Sequence, residues 1–257
     1  MKFLMIGDVV GSAGCEKLRE QLPLLKRQYS PDFVVVNGEN SADGNGIHPV
    51  SADHIFQSGA DVITGGNHSF RRREIYDRYE TDEFLLRPAN YPDSAPGSGF
   101  CVVDKGRFRA AVISLLGQVY MSATGCPFET ADRLVGQAKE QGCKVIVVDM
   151  HAEATAEKKA LAYYLDGKVT AVLGTHTHVQ TADATVLPQG SAYISDLGMC
   201  GPAHSVLGVR PEQSIALLKD KLPVRFTTAD GPCQLDGVVV TVDDKTGLAT
   251  EITAFSL

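Results

Sequence analysis

Apolar runs of β-strand length recur along the chain, and five of them lead into polar residues able to hold a metal ion. Residues 2–7 (KFLMIG) lead to Asp8, and 33–37 (FVVVN) to Glu39 and Asn40. Residues 61–64 (DVIT) deliver Asn67 and His68, 144–149 (KVIVVD) deliver His151, and 169–173 (VTAVL) run into GTHTH, with His176 and His178. In open α/β sheets the strand carboxyl ends face one crevice, so these residues are expected to converge. The i, i+2 histidines would share one side of an extended tip. Each residue also has a local reading: Asp8 as a helix cap, Asn40 and Asn67 in turns, His151 as a hydrogen-bonded strand end. Local readings do not explain why the pattern recurs after strands of one kind.

The intervening stretches read mostly as helices and turns. Cys15, Leu18, Leu22, Leu25 and Tyr29 have helical spacing, with Pro23 expected to kink that helix or restart it. Ser51 is the expected N-cap of a short helix ending at Gly59, and RRREIYDRY after His68 looks helical. Residues 88–99 form a loop, 100–103 and 107–115 a hairpin, and 117–128 a loop carrying Tyr120 and Phe128. Helices are expected over about 129–142 and 155–165, a turn-rich run over 196–202, and strands near 213–218, 224–228, 235–242 and 249–255. Strands alternating with helices early and hairpins late imply a mixed α/β sheet system, one domain over 1–257.

A formal net charge of −7 and a pI near 5.5 exclude the basic footprint of a nonspecific nucleic-acid binder. No apolar stretch reaches the length of a membrane span. The six cysteines are scattered without a CxxC pair, which suits a reduced cytoplasm.

Carboxylate, imidazole and amide donors without thiolate favour manganese, iron or zinc over a structural cysteine-type site. The donors exceed what one ion needs, and Glu39 is placed to bridge two ions about 3.5–4 Å apart. Such a pair attracts phosphate oxygens and lowers the pKa of a bound water toward neutrality, which gives hydroxide as nucleophile.

GDVVG, NGEN, GGNH, DMHAEATAEK, GTHTHVQTAD and ISDLGMCGP, in that order across residues 8–208, resemble the bacterial YmdB-like calcineurin-type metallophosphoesterases. The wider superfamily opens with D-x-H, where this chain has Val10, and usually bridges its metals with aspartate, where this chain has Glu39. Both departures resemble the YmdB-like subgroup, in which the asparagine after the glutamate replaces the missing histidine. The resemblance implies a helix-flanked mixed β-sandwich. Asp8, Glu39, Asn40 and His178 would hold one metal, and Glu39, Asn67, His151 and His176 the other. His68 would donate a proton to the leaving oxygen, with a substrate-orienting role as its alternative. It further implies homo-oligomers that hydrolyse cyclic nucleotides, 2′,3′-cyclic first and 3′,5′-cyclic as a further candidate. The family often carries tryptophan where Phe70 stands, and this chain has none.

Three features stay open. The loop from Ser41 to Pro49 lines the substrate cleft or is an ordinary turn. Tyr120 or Phe128 stacks a nucleobase or merely packs. Arg71, Arg72 and Arg73 meet phosphates or form a solvated helix start. The competing functions are a phosphomonoesterase or nucleotidase on the same metals, and a non-catalytic metal-bound signalling protein.

Overall fold

The computed structural model describes residues 1–122 and 124–257. Its first sheet runs in the order β2 (Asp8–Val9), β11 (Met199–Pro202), β12 (Cys233–Val242), β1 (Lys2–Ile6), β3 (Phe33–Asn37) and β4 (Val62–Thr64). A further strand, β13 (Ala249–Ser256), pairs with β12. The second sheet runs β5 (Phe100–Asp104), β6 (Arg109–Leu116), β7 (Val145–His151), β8 (Ala171–Thr175), β10 (Ala192–Ile194) and β9 (Thr185–Val186). Both sheets are mixed: β1, β3 and β4 are mutually parallel, as are β6, β7, β8 and β10.

Alternation along the strands sets the layers. Phe3, Met5, Phe33 and Val35 face inward against Val112, Val147 and Leu173 of the other sheet, forming a core between the sheets. Leu4, Ile6, Val34 and Val36 face outward and are covered by α1 (Gly11–Tyr29) and α2 (Pro49–Ser58). On the opposite flank, Ile113, Ile146 and Val148 are covered by α4 (Pro127–Glu140) and α5 (Thr155–Leu165). The expected helix-flanked mixed sandwich is the one formed. Its parallel strands all end at the same rim, where the polar residues collect.

Several local expectations are corrected. Helix α1 continues through Pro23, because the buried stripe of Cys15, Leu18, Leu22 and Leu25 holds both halves on one axis. His48, not Ser51, caps α2: its side chain accepts from the Val50 N–H, while Ser51 Oγ accepts from the His48 N–H at 3.1 Å. The stretch 213–218 is not a strand. Pro211 begins α6 (Pro211–Ile215), which passes into a π-helical turn, Ala216–Asp220. Nor is 224–228 a strand; Thr228 makes only an isolated bridge to Val209. Within the turn-rich 196–202, Met199–Pro202 forms β11, which gains its partners β2 and β12 only through the tertiary fold. After His68 the chain makes a 3₁₀ turn, Arg73–Ile75, before α3 (Tyr76–Thr81). Of the loop expected over 117–128, residue 123 lies outside the described residues; Phe128 belongs to α4 and packs edge-on against Tyr164. Tyr120 is exposed. Phe70 meets Tyr76, Tyr79 and Tyr91 and so braces the turn that carries His68.

Candidate metal centre

All eight expected site residues meet at the common rim. Glu39, fully buried after β3, is central. Its Oε1 accepts from Asn40 Nδ2 at 2.6 Å and lies 3.1 Å from His68 Nδ1; its Oε2 accepts from the His68 N–H at 3.0 Å. On one side, His151 Nε2 lies 2.9 Å from Asn67 Oδ1, 3.1 Å from His176 Nδ1 and 3.3 Å from Glu39 Oε2. One ring nitrogen cannot satisfy three such neighbours, whereas a cation between them can. On the other side, His178 Nε2 lies 3.4 Å from Asn40 Nδ2 and 3.7 Å from Asp8 Oδ1. Asp8 Oδ2 accepts from the His176 N–H at 3.1 Å, while its buried Oδ1 has no hydrogen-bond partner among the described residues.

The backbone is built to keep this space open. A Cβ at Gly66 would fall 2.3 Å from Glu39 Oε2 and 2.4 Å from His151 Nε2. The two histidines after β8 are aimed differently from the expected extended tip: His176 and His178 have φ of 104° and 63°. Such left-handed backbone costs on the order of 1–3 kcal/mol per residue and needs support. The Thr177 N–H donates to Asp196 Oδ2 at 2.9 Å, and that oxygen also takes the Lys158 ammonium at 2.9 Å in a pair with almost no solvent exposure.

Electrostatics also favours a cation. Burial pushes the Glu39 carboxyl up, but His151 and His68 outweigh it and hold the group well below the usual range. Burial pushes Asp8 up to about 6, with His178 and His151 offsetting only part of the effect. Burial disfavours charge on His151, yet Glu39, helped by Asp8 and Asp149, raises it to about 9. Burial and the neighbouring His151 push His176 down to about 3. The orphaned Asp8 oxygen, the Gly66 cradle and the oxygen–nitrogen donor set all fit first-row metal ions.

Sequence reasoning missed several supporting groups. Glu153 Oε2 lies 3.1 Å from His176 Nε2, the ring nitrogen away from the centre. Asp149, buried behind the site, accepts from Asn37 Nδ2 at 2.9 Å and from Thr175 Oγ1 at 2.7 Å; Thr175 Oγ1 in turn lies 2.9 Å from His151 Nδ1. DMHAE already put both acids beside His151, but nothing local assigned them partners. A cleft of about 380 Å³ opens beside the centre, reached through Asn40, His68 and His178 and walled by Phe226, Leu207 and Arg71. Val10, where the superfamily's histidine would stand, lines it too, and a Cβ on Gly208 would lie 2.5 Å from Val10 Cγ1. Gly44 and Asn45 bring the 41–49 loop into the cleft wall.

The family model described as YmdB-like protein matches residues 4–255. The chain is 46% identical over 252 residues to the 2′,3′-cyclic-nucleotide 2′-phosphodiesterase of Bacillus subtilis, covering 98% of this chain and 95% of that one. A hypothetical protein from Thermus thermophilus superposes with TM-score 0.93 at 36% identity, covering 100% of this chain and 99% of the other. A novel phosphatase from Mycoplasma pneumoniae gives TM-score 0.93 at 36% identity, covering 100% and 93%.

Proposed function

We propose that this chain, which belongs to the YmdB-like protein family, is a dinuclear-metal phosphodiesterase that opens the 2′,3′-cyclic phosphate of nucleotides. The observation that carries this reading is the position of Glu39: buried between two donor groups, with His68 on its solvent side. Asp8, Glu39, Asn40 and His178 would hold one ion, and Glu39, Asn67, His151 and His176 the other. What a pair of divalent ions supplies there is positive charge for the phosphate oxygens and an acidified water as nucleophile. Iron and manganese suit the donor set, with zinc as the third candidate.

The rest falls to protein side chains. His68 Nδ1 lies 3.1 Å from both Glu39 Oε1 and Asn40 Oδ1, so a proton there is held by oxygen acceptors; Nε2, 3.3 Å from Asn67 Nδ2, is the nitrogen that would exchange a proton with the substrate. As the nucleophile's oxygen bonds to phosphorus and the P–O2′ bond breaks, His68 gives its proton to the leaving 2′ oxygen and a 3′-phosphate remains. The 2′ regiochemistry follows the named activity of the Bacillus subtilis relative. A 3′,5′-cyclic nucleotide is a second candidate substrate. The phosphatase name of the Mycoplasma pneumoniae structure favours one competing reading, a phosphomonoesterase.

Metal-loaded protein should hydrolyse 2′,3′-cyclic AMP to 3′-AMP and lose this activity in EDTA. Turnover of phosphate monoesters alone would replace the reading with the phosphomonoesterase. We further infer a cytoplasmic homo-oligomer. Six unpaired thiols suit a reducing compartment, and the apolar residues Ile215, Leu218 and Leu222 are exposed in one segment. Sedimentation of native protein and Leu218→Glu tests the association, which fails as an idea if both are monomers.

A further inference from the structure

The cleft beside the metal centre has a charge pattern that the opening of a single cyclic phosphate does not require. The chain has 31 acidic residues against 24 basic ones, yet no acidic side chain among the described residues lines this cleft. Its lysine and arginine content is Arg71 alone. Among the described residues, the Arg71 guanidinium has neither a hydrogen bond nor an ion pair.

Arg73 is likewise unpaired among the described residues but does not line the cleft, whereas Arg72 is held in place. Arg72 is spent on structure: its Nε donates to the Asn45 carbonyl at 3.0 Å and its Nη2 to that of Asp43, pinning the 41–49 loop. That loop then fixes Arg71, because Gly46, at φ 77°, passes so close that a Cβ there would lie 2.9 Å from Arg71 Cβ. The Arg71 N–H donates to the His68 carbonyl at 2.9 Å, so one tight turn carries both the proposed proton donor and the free cation.

Arg71 does not serve the inner pocket. The space of about 250 Å³ over the metal centre is lined by Glu39, Asn40, His68, Glu153, His176 and His178, together with Thr177 and Leu207, and not by Arg71. The outer cleft shares Asn40, His68, His178 and Leu207 with it and then continues to Arg71 and to Phe226. Phe226 is 41% exposed and stacks on no other aromatic ring among the described residues.

We propose that the outer cleft is a second anion subsite, in which Arg71 binds the 5′-phosphate of the nucleotide being opened and Phe226 stacks its base. This rests on the phosphodiesterase reading above. It names the substrate class as 5′-phosphorylated nucleotides, or oligonucleotide ends, that terminate in a 2′,3′-cyclic phosphate. A guanidinium outside the inner pocket has no task on a nucleoside cyclic phosphate, whose single anionic group lies over the metals. It has one on a nucleotide carrying a second phosphate, where charge-assisted hydrogen bonds add both affinity and register. Base stacking on an aromatic side chain is tolerant of base identity.

The test measures binding of two product nucleotides, adenosine 3′-phosphate and adenosine 3′,5′-bisphosphate, to metal-loaded native protein, Arg71→Ala and Arg71→Lys. The native protein should bind the bisphosphate about tenfold more tightly, the scale of one charge-assisted contact. Arg71→Ala should bring that ratio close to one, and Arg71→Lys should keep part of it. Equal affinities in the native protein would overturn the subsite, as would an Arg71→Ala that weakens both ligands equally. Hydrolysis of 2′,3′-cyclic AMP is measured alongside. Hydrolysis without the affinity ratio leaves the phosphodiesterase and removes the subsite. The ratio without hydrolysis leaves a nucleotide site and removes the phosphodiesterase.

Discussion

At the scale of single residues, the proposed metal centre would depend on groups that hold its donors in place as much as on the donors. Glu153 faces the outer nitrogen of His176 at 3.1 Å, the arrangement by which a carboxylate fixes a ligand imidazole and raises its basicity. Glu153→Gln should therefore weaken metal binding by about 10–100-fold, as outer partners of metal ligands typically do. Titration of metal-free protein with Mn²⁺ checks this, and native affinity in the variant would reduce Glu153 to a surface acid. The convergence of Asp8, Glu39, Asn40, Asn67, His68, His151, His176 and His178 was legible because each follows an apolar run whose end the fold must bring to the rim. Glu153, Arg71 and Phe226 were not legible in the same way. Their meaning depends on partners from other segments: His176 for Glu153, the 41–49 loop for Arg71, and the cleft wall for Phe226.

At the scale of elements, the segment after β8 pays for its left-handed histidines with a buried ion pair. Lys158 of α5 and Asp196 join the helix, the strand-end turn and the Thr177 backbone. Lys158→Met leaves the Asp196 carboxylate buried without its cation, so it should lower unfolding free energy by about 3–5 kcal/mol. Denaturant unfolding of the metal-free variant measures this, and a loss under about 1 kcal/mol would mean that the backbone donors alone satisfy Asp196. The motifs containing Lys158 and Asp196 were visible in the sequence, but not their contact, which spans 38 residues. Element types were read well where burial is two-sided, as in β3 and β7, whose residues are all buried. They were misread over 213–218, where Ile215 and Leu218 are exposed and hydrophobicity does not report a packed face.

At the scale of the molecule, two mixed sheets packed face to face bring strand ends from both into one rim: Asp8, Glu39 and Asn67 come from the first sheet, and His151, His176 and His178 from the second. Neither sheet alone carries a complete donor set, so integrity of the centre reports on the sandwich as a whole. A mixed α/β sheet system followed from apolar runs alternating with helices, and the sandwich from the family resemblance; the pairing of β11 with β2 and β12 followed from neither, because short strands take their identity from neighbours distant in sequence. The most direct measurement is metal content per chain, by elemental analysis after loading with Mn²⁺ or Fe²⁺, for native protein and Glu39→Gln. Two ions per native chain, with loss of metal and of cyclic-nucleotide hydrolysis in a still-folded Glu39→Gln, is the predicted result. A native chain that binds no metal under either loading, or a Glu39→Gln variant with two ions and full activity, would contradict a centre organised around Glu39.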